Sequence, residues 1–189
     1  REASLLLQVL VPLFALGGRA QVILAQISDA LADKDQKRRP IPLLAAGLVC
    51  GALSASTMAY AGFLAVATLP DAAHRALIAG ALGLATFELA WPVRVAPTRE
   101  PTRSLGAIGA VLLVRQLGDA ARLTVFAVAV LTRDPIGAAL AGGIGGAIAV
   151  ALGWSLGAES LSRWPLRSIR LAISVPLILA ALLIGLNVY

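Results

Sequence analysis

Charge is scarce in this chain, and so are aromatic rings. Asp, Glu, Lys and Arg make up 14% of its 189 residues, and Phe, Trp and Tyr only 5%. Cysteine and histidine occur once each, as Cys50 and His74. A single cysteine cannot form an internal disulfide, and it leaves the redox compartment open. One His and one Cys also speak against a zinc or haem centre, and no cofactor is expected. No Ser/His, Cys/His, paired-Glu or phosphate-loop arrangement is present, so the chain does not read as an enzyme. Nucleic acid is not an expected partner, because it calls for a clustered basic face with stacking aromatics.

What is abundant is apolar side chain. The residues A, V, I, L, M, F, W, Y and C make up 59% of the sequence, and the mean hydropathy is +0.86. A soluble domain is roughly 45–50% apolar even with glycine counted, and roughly 25% charged. A fold of this size has too little interior to hide the surplus. The composition specifies an all-α integral membrane protein with the lipid bilayer as its first partner.

A membrane helix needs about 20 mostly apolar residues. Six segments come close: Leu5–Leu31, Ile41–Thr68, Ala76–Trp91, Leu105–Thr132, Ile136–Ala158 and Ile169–Val188. The first contains Pro12, Gly17, Gly18 and Arg19, which predict a kink or break. It lacks a basic n-region and an A-x-A step and reads as a retained span, with a cleaved signal peptide as the alternative. Another alternative is five spans with a re-entrant first segment. With six spans, Arg1, Arg75 and Arg133 share one side of the membrane. Lys34, Lys37, Arg38, Arg39, Arg94, Arg99, Arg103, Arg163, Arg167 and Arg170 fall on or near the other. The positive-inside rule makes the richer side cytoplasmic and puts both termini outside. Fourteen of the sixteen basic residues are arginine, a bias of GC-rich bacterial genomes that points to a bacterial inner membrane.

The two halves match at a fixed offset. Pro40, Gly47, Gly51, Gly62, Pro70 and Arg75 recur 95 residues later as Pro135, Gly142, Gly146, Gly157, Pro165 and Arg170. Upstream the offset is 90, so that Gln26-Ile27-Ser28-Asp29-Ala30 corresponds to Gln116-Leu117-Gly118-Asp119-Ala120. Each half holds three spans, an odd number, so the halves insert in opposite directions. The expected organisation is six transmembrane helices as two inverted three-helix repeats, residues 1–92 and 105–189, joined by a cytoplasmic linker over 93–104. Secondary transporters built this way bind substrate at the midplane between repeats. The bland reading is that duplication merely built a stable bundle. The pairs Gly47/Gly51, Gly142/Gly146 and Gly153/Gly157 are assigned to close helix packing.

Ionisable residues inside a span cost about 2.5–3.5 kcal/mol each on insertion scales and are functional candidates by default. Asp119 falls in the middle of its predicted span. Arg115 and Arg122 lie four residues before it and three after, which places all three on one helix face. Asp29 is its repeat partner, though its closeness to the polar run 33–39 also fits an interfacial carboxylate. Glu88 and Arg19 complete a set whose formal charges sum to zero, as a purely structural ion-pair network also would. Arg133-Asp134 reads as a loop pair, and His74 as a solvated residue of a short outer loop.

The whole chain resembles the family of manganese/calcium–proton exchangers, which includes a Golgi cation exchanger, chloroplast manganese transporters and bacterial manganese exporters. The resemblance rests on two inverted three-span repeats, each with an acidic motif in its first span and an R-P or D-P step before its second. The family motif is E-x-G-D-(K/R)-(T/S) in both repeats. Here it reads Gln26-Ile27-Ser28-Asp29-Ala30-Leu31 and Gln116-Leu117-Gly118-Asp119-Ala120-Ala121. The resemblance implies cation exchange against protons at a shared site formed by Asp29 and Asp119, with Gln26 and Gln116 at the family's Glu positions. Mn²⁺ or Ca²⁺ ions and protons are then the expected substrates, with Asp29 and Asp119 as metal ligands. Both Glu positions have become Gln and both basic positions Ala, which halves the acidic charge offered to a hard cation. A guanidinium within about 5 Å would oppose a dication by several kcal/mol at an effective dielectric of about 20. Two functions follow: a cation–proton exchanger, or a transport-inactive relative serving as an accessory subunit among membrane-protein partners.

Overall fold

The computed structural model describes residues 22, 25–27, 41–92, 104–163 and 165–186. Among the described residues the chain is helical, without strands. The helices in order are α1 (Ile41–Thr68), α2 (Asp71–Ala90), α3 (Leu105–Leu117), α4 (Ala120–Thr132), α5 (Pro135–Ser162) and α6 (Leu166–Gly185). Residues 22 and 25–27 are helical too. Among these, α1, the Pro135–Gly157 part of α5, and α6 are long and apolar enough to cross a membrane. At 1.5 Å per residue a 20-residue helix covers roughly 30 Å, the thickness of a bilayer's hydrocarbon core. Large apolar side chains such as Val49, Phe63, Leu140, Ile144, Val175 and Leu179 are exposed on the outer faces of these helices. Water would not tolerate so much apolar exterior, whereas lipid favours it. The chain is a helical membrane protein. Most of the expected first span, with Arg19 and Asp29, lies outside the described residues.

Local chemistry sets the helix ends. Asp134 accepts from the Gly137 N–H at 2.9 Å with Pro135 behind it, a paired N-terminal signal for α5. Ser104 accepts from the Ala107 N–H at 3.4 Å at the start of α3. Trp91 is extended (φ −69°, ψ 130°) because Pro92 follows it, and α2 stops there. Arg133 takes the left-handed conformation (φ 55°) that turns α4 directly into α5. Gly157 interrupts α5 with φ 73° and ψ 172°, backbone that only glycine adopts without strain.

Three expected boundaries are corrected. The span predicted over Leu105–Thr132 is two helices of 13 residues each, broken at Gly118-Asp119. Glycine is a poor helix former and Asp a good N-cap, so the pair outweighs the continuous apolar pattern around it. The third span begins at Asp71 instead of Ala76, which brings His74 and Arg75 into α2. The sixth begins at Leu166 instead of Ile169, which moves Arg170 from the start of the span into the second turn of α6.

Side-chain neighbours fix the directions of the helices. Ala55 of α1 lies beside Gly142 of α5, and Leu43 clusters with Val150, so α1 and α5 are antiparallel. Ala79 of α2 meets Gly185 of α6, and Glu88 meets Arg170, so α2 and α6 are antiparallel as well. The broken pair α3–α4 runs in the same direction as α1, with Gly109 by Cys50, Gln116 by Ser54 and Ala129 by Gly62. The helices related by the 95-residue offset are therefore packed neighbours pointing opposite ways. Helix α4 lies at the centre and packs on α1, α2 and α5. Its contact with α1 is close, because a Cβ on Gly62 would stand 2.8 Å from the Ala129 Cβ and 3.1 Å from the Phe126 carbonyl. One apolar core, with Leu82, Leu89, Val130 and Leu177, joins α2, α4 and α6. Another, with Ile27, Leu43, Ile108 and Leu112, joins the first helical residues to α1 and α3.

Candidate functional site

The break between α3 and α4 is where the chemistry gathers. Gly118 leaves the helix (φ −91°, ψ 5°) and Asp119 is extended (φ −77°, ψ 145°) at the N-cap of α4. A helix N-terminus carries unsatisfied N–H groups and a partial positive charge, and an N-cap Asp normally turns its carboxylate onto them. Here it does not. The Arg122 and Leu123 N–H groups donate to the Asp119 main-chain carbonyl at 2.9 and 3.2 Å. The Ala120 N–H donates to Glu88 Oε2 of α2 at 3.3 Å. Asp119 is 6% exposed, and its Oδ1 is buried with no hydrogen-bond partner among the described residues.

Two buried arginines flank this carboxylate without hydrogen-bonding to it. Arg170, 4% exposed, donates from Nη2 to Glu88 Oε1 at 3.1 Å and to the Glu88 carbonyl at 2.7 Å. Its Nε reaches the Leu89 carbonyl at 3.2 Å. Arg122, 3% exposed, donates from Nε to Ser54 Oγ at 2.7 Å, and from its Nη atoms to the Gly142 and Gly51 carbonyls at 3.1 Å each. Ser54 Oγ also lies 3.1 Å from Gln116 Oε1. Helical carbonyls retain a second lone pair, so these bonds add to the helix ladder instead of breaking it. Access to them needs glycine. A Cβ on Gly146 would stand 2.5 Å from Arg122 Nη2, and one on its repeat partner Gly51 would stand 3.5 Å away. The glycine pairs assigned to helix packing thus also seat a guanidinium. Asp119 lies within electrostatic reach of Glu88, Arg122 and Arg170, and the formal charges of the four sum to zero.

Of the residues singled out from sequence, Asp119, Gln116, Arg122 and Glu88 come together. Gln116 is buried on Ser54, and Gln26 is half-buried in the helical turn at 25–27. Asp29 and Arg19 lie outside the described residues, and so does any meeting of the two aspartates. Arg115 does not share a face with Asp119: the break separates them, and Arg115 is exposed. Among the described residues no group of three His, Cys, Asp or Glu side chains converges to hold a metal ion.

Sequence reasoning missed Arg170 and Ser54. Arg170 was assigned to the membrane boundary, yet it is buried against Glu88, and the Arg75/Arg170 repeat match was the available signal. Ser54 carries none. His74 is corrected from solvated to buried at 8% exposure, its Nε2 lying 3.2 Å from the Ala65 carbonyl and its Nδ1 3.3 Å from Asp71. Arg133 pairs with Asp71 at 2.9 Å, tying the turn after α4 to the start of α2. Elsewhere, an apolar cavity of about 170 Å³ lies between α2, α4 and α6, lined by Leu82, Val128, Pro176 and Leu177 among others. Comparison with protein-family models, with curated proteins and with solved structures gives no match.

Proposed function

We propose that the protein is a secondary transporter that exchanges a small cation for protons, with Asp119 as the carboxylate that takes either one. The chain is then a six-span bundle of two inverted three-helix repeats in a bacterial inner membrane. The antiparallel neighbours α1/α5 and α2/α6 support that plan, and discontinuous helices are where such carriers place their ion sites. One observation carries the reading: a break between two apolar helices, with a buried aspartate there whose Oδ1 has no hydrogen-bond partner among the described residues. A buried carboxylate oxygen without a donor is costly unless a proton or a cation satisfies it. The manganese/calcium exchange implied by the family resemblance fits the location. Because Glu88 is paired with Arg170 and Arg122 lies nearby, the four charges already sum to zero while Asp119 is ionised, so a proton or monovalent ion adds less net charge there than a dication would.

The accessory-subunit reading draws on the neutrality of the same four charges, which is also what a purely structural network would have. Flux decides between them. In proteoliposomes the wild type is expected to move Na⁺, Ca²⁺ or Mn²⁺ against a proton gradient, and Asp119→Asn to fall to the level of empty vesicles. Wild-type flux no greater than that of empty vesicles for all three ions would remove the transporter reading.

A further inference from the structure

We infer that Arg122 is a tethered cation that sets the charge the site accepts: its guanidinium fills an oxygen-lined position beside Asp119 that would otherwise hold a metal ion. The oxygens come from three residues and lie within hydrogen-bond distance of the guanidinium. Ser54 Oγ, the Gly51 carbonyl and the Gly142 carbonyl lie 2.7, 3.1 and 3.1 Å from the guanidinium nitrogens. Gln116 Oε1 is 3.1 Å from Ser54 Oγ, and Asp119 is within electrostatic reach. Neutral carbonyl and hydroxyl oxygens with one carboxylate are the donor set that hard cations such as Mn²⁺ and Ca²⁺ select. Two of the oxygens, on Gly51 and Gly142, belong to α1 and α5, the antiparallel helices related by the internal offset. Gly51 and Gly146, equivalent by that offset, both lie against its Nη2. A position built from both halves and filled by a side chain of the chain itself leaves Asp119 to take one further positive charge.

This role has meaning only in a carrier that takes cations at Asp119, so it rests on the reading above. Its test is equilibrium binding instead of flux, and the two can therefore fail separately. Binding of radiolabelled Mn²⁺ is measured on the full chain in detergent for the wild type, Arg122→Ala and Arg122→Gln, each with and without Asp119→Asn. Arg122→Ala is expected to bind Mn²⁺ at least about tenfold more tightly than the wild type. Adding Asp119→Asn should return binding to the wild-type level. Free guanidinium should displace Mn²⁺ from Arg122→Ala, a competition that loss of a merely structural arginine would not produce. Should Arg122→Ala fail to fold, Arg122→Gln is judged by the same comparison, since it keeps a donor for Ser54 and removes the charge. Equal Mn²⁺ affinity in the wild type and the folded Arg122 variant overturns the assignment, as does a gain that survives Asp119→Asn. A gain that depends on Asp119 sustains it even where wild-type flux is nil.

Discussion

Glu88 and Arg170 offer the sharpest stability test, because their side chains are only 9% and 4% exposed and they bond at 3.1 Å. Substituting Glu88→Leu removes the carboxylate that Arg170 Nη2 bonds at 3.1 Å and keeps its bonds to the Glu88 and Leu89 carbonyls. Breaking a buried pair from one side costs about 3–5 kcal/mol, because the other charge stays desolvated. Arg170→Leu is expected to cost less by about 1 kcal/mol, since Glu88 keeps the Ala120 N–H and the positive end of α4. The double variant removes both charges, and an apolar pair is often no worse than a buried ion pair. What it still loses is the cap on Ala120, about 1 kcal/mol. The double variant should therefore be more stable than Glu88→Leu alone, with a coupling of at least about 2 kcal/mol in the cycle. For a chain of this length, 3 kcal/mol corresponds to a fall in Tm of about 10 °C. Thermal unfolding in detergent, followed by far-UV circular dichroism, reads all four proteins. Costs that simply add, or single variants each within about 1 kcal/mol of the wild type, would refute the buried-pair account.

Two further outcomes follow from packing and capping. Gly62→Ala places a Cβ 2.8 Å from the Ala129 Cβ and against the backbone of α4, which cannot yield, so a loss of about 1–3 kcal/mol is expected. Gly143→Ala meets nothing within 4 Å and should leave stability unchanged or raise it by up to about 1 kcal/mol, and the same melts compare the two. Asp134→Ala removes the acceptor of the Gly137 N–H and should cost about 1 kcal/mol, with Asp134→Asn restoring most of it in parallel melts.

The membrane class and most helices were legible because hydropathy is a property of long segments. The 28-residue α1 was expected at its observed bounds. The break at Gly118-Asp119 was not expected, because the apolar stretches on either side run long enough to mask a two-residue interruption. The location of Asp119 was readable from the internal repeat, but its surroundings were not. Arg122 meets Ser54 across 68 residues of sequence, and Arg170 meets Glu88 across 82. Pairings that distant leave no local pattern. The carbonyls of Gly51 and Gly142 leave none at all, since every residue has a carbonyl and only the missing Cβ nearby makes these reachable. Shifts of three to five residues at two helix starts were enough to misplace Arg170 and His74 at the boundary.

The chemistry of the break depends on which carboxylate does the capping. If Asp119 accepted from its own helix, a carboxylate oxygen would be spent on α4 and less would remain for an ion. The turn after Gly118 instead directs the Arg122 and Leu123 N–H groups to the Asp119 carbonyl. Glu88, arriving from α2, takes the N–H of Ala120. Arg170 then balances Glu88, so the acid that caps is neutralised while Oδ1 of the acid at the break has no hydrogen-bond partner among the described residues. In the exchanger proposed above, that division leaves an oxygen of Asp119 for the ion it carries, whereas a capping Asp119 would satisfy the helix end and leave less for an ion.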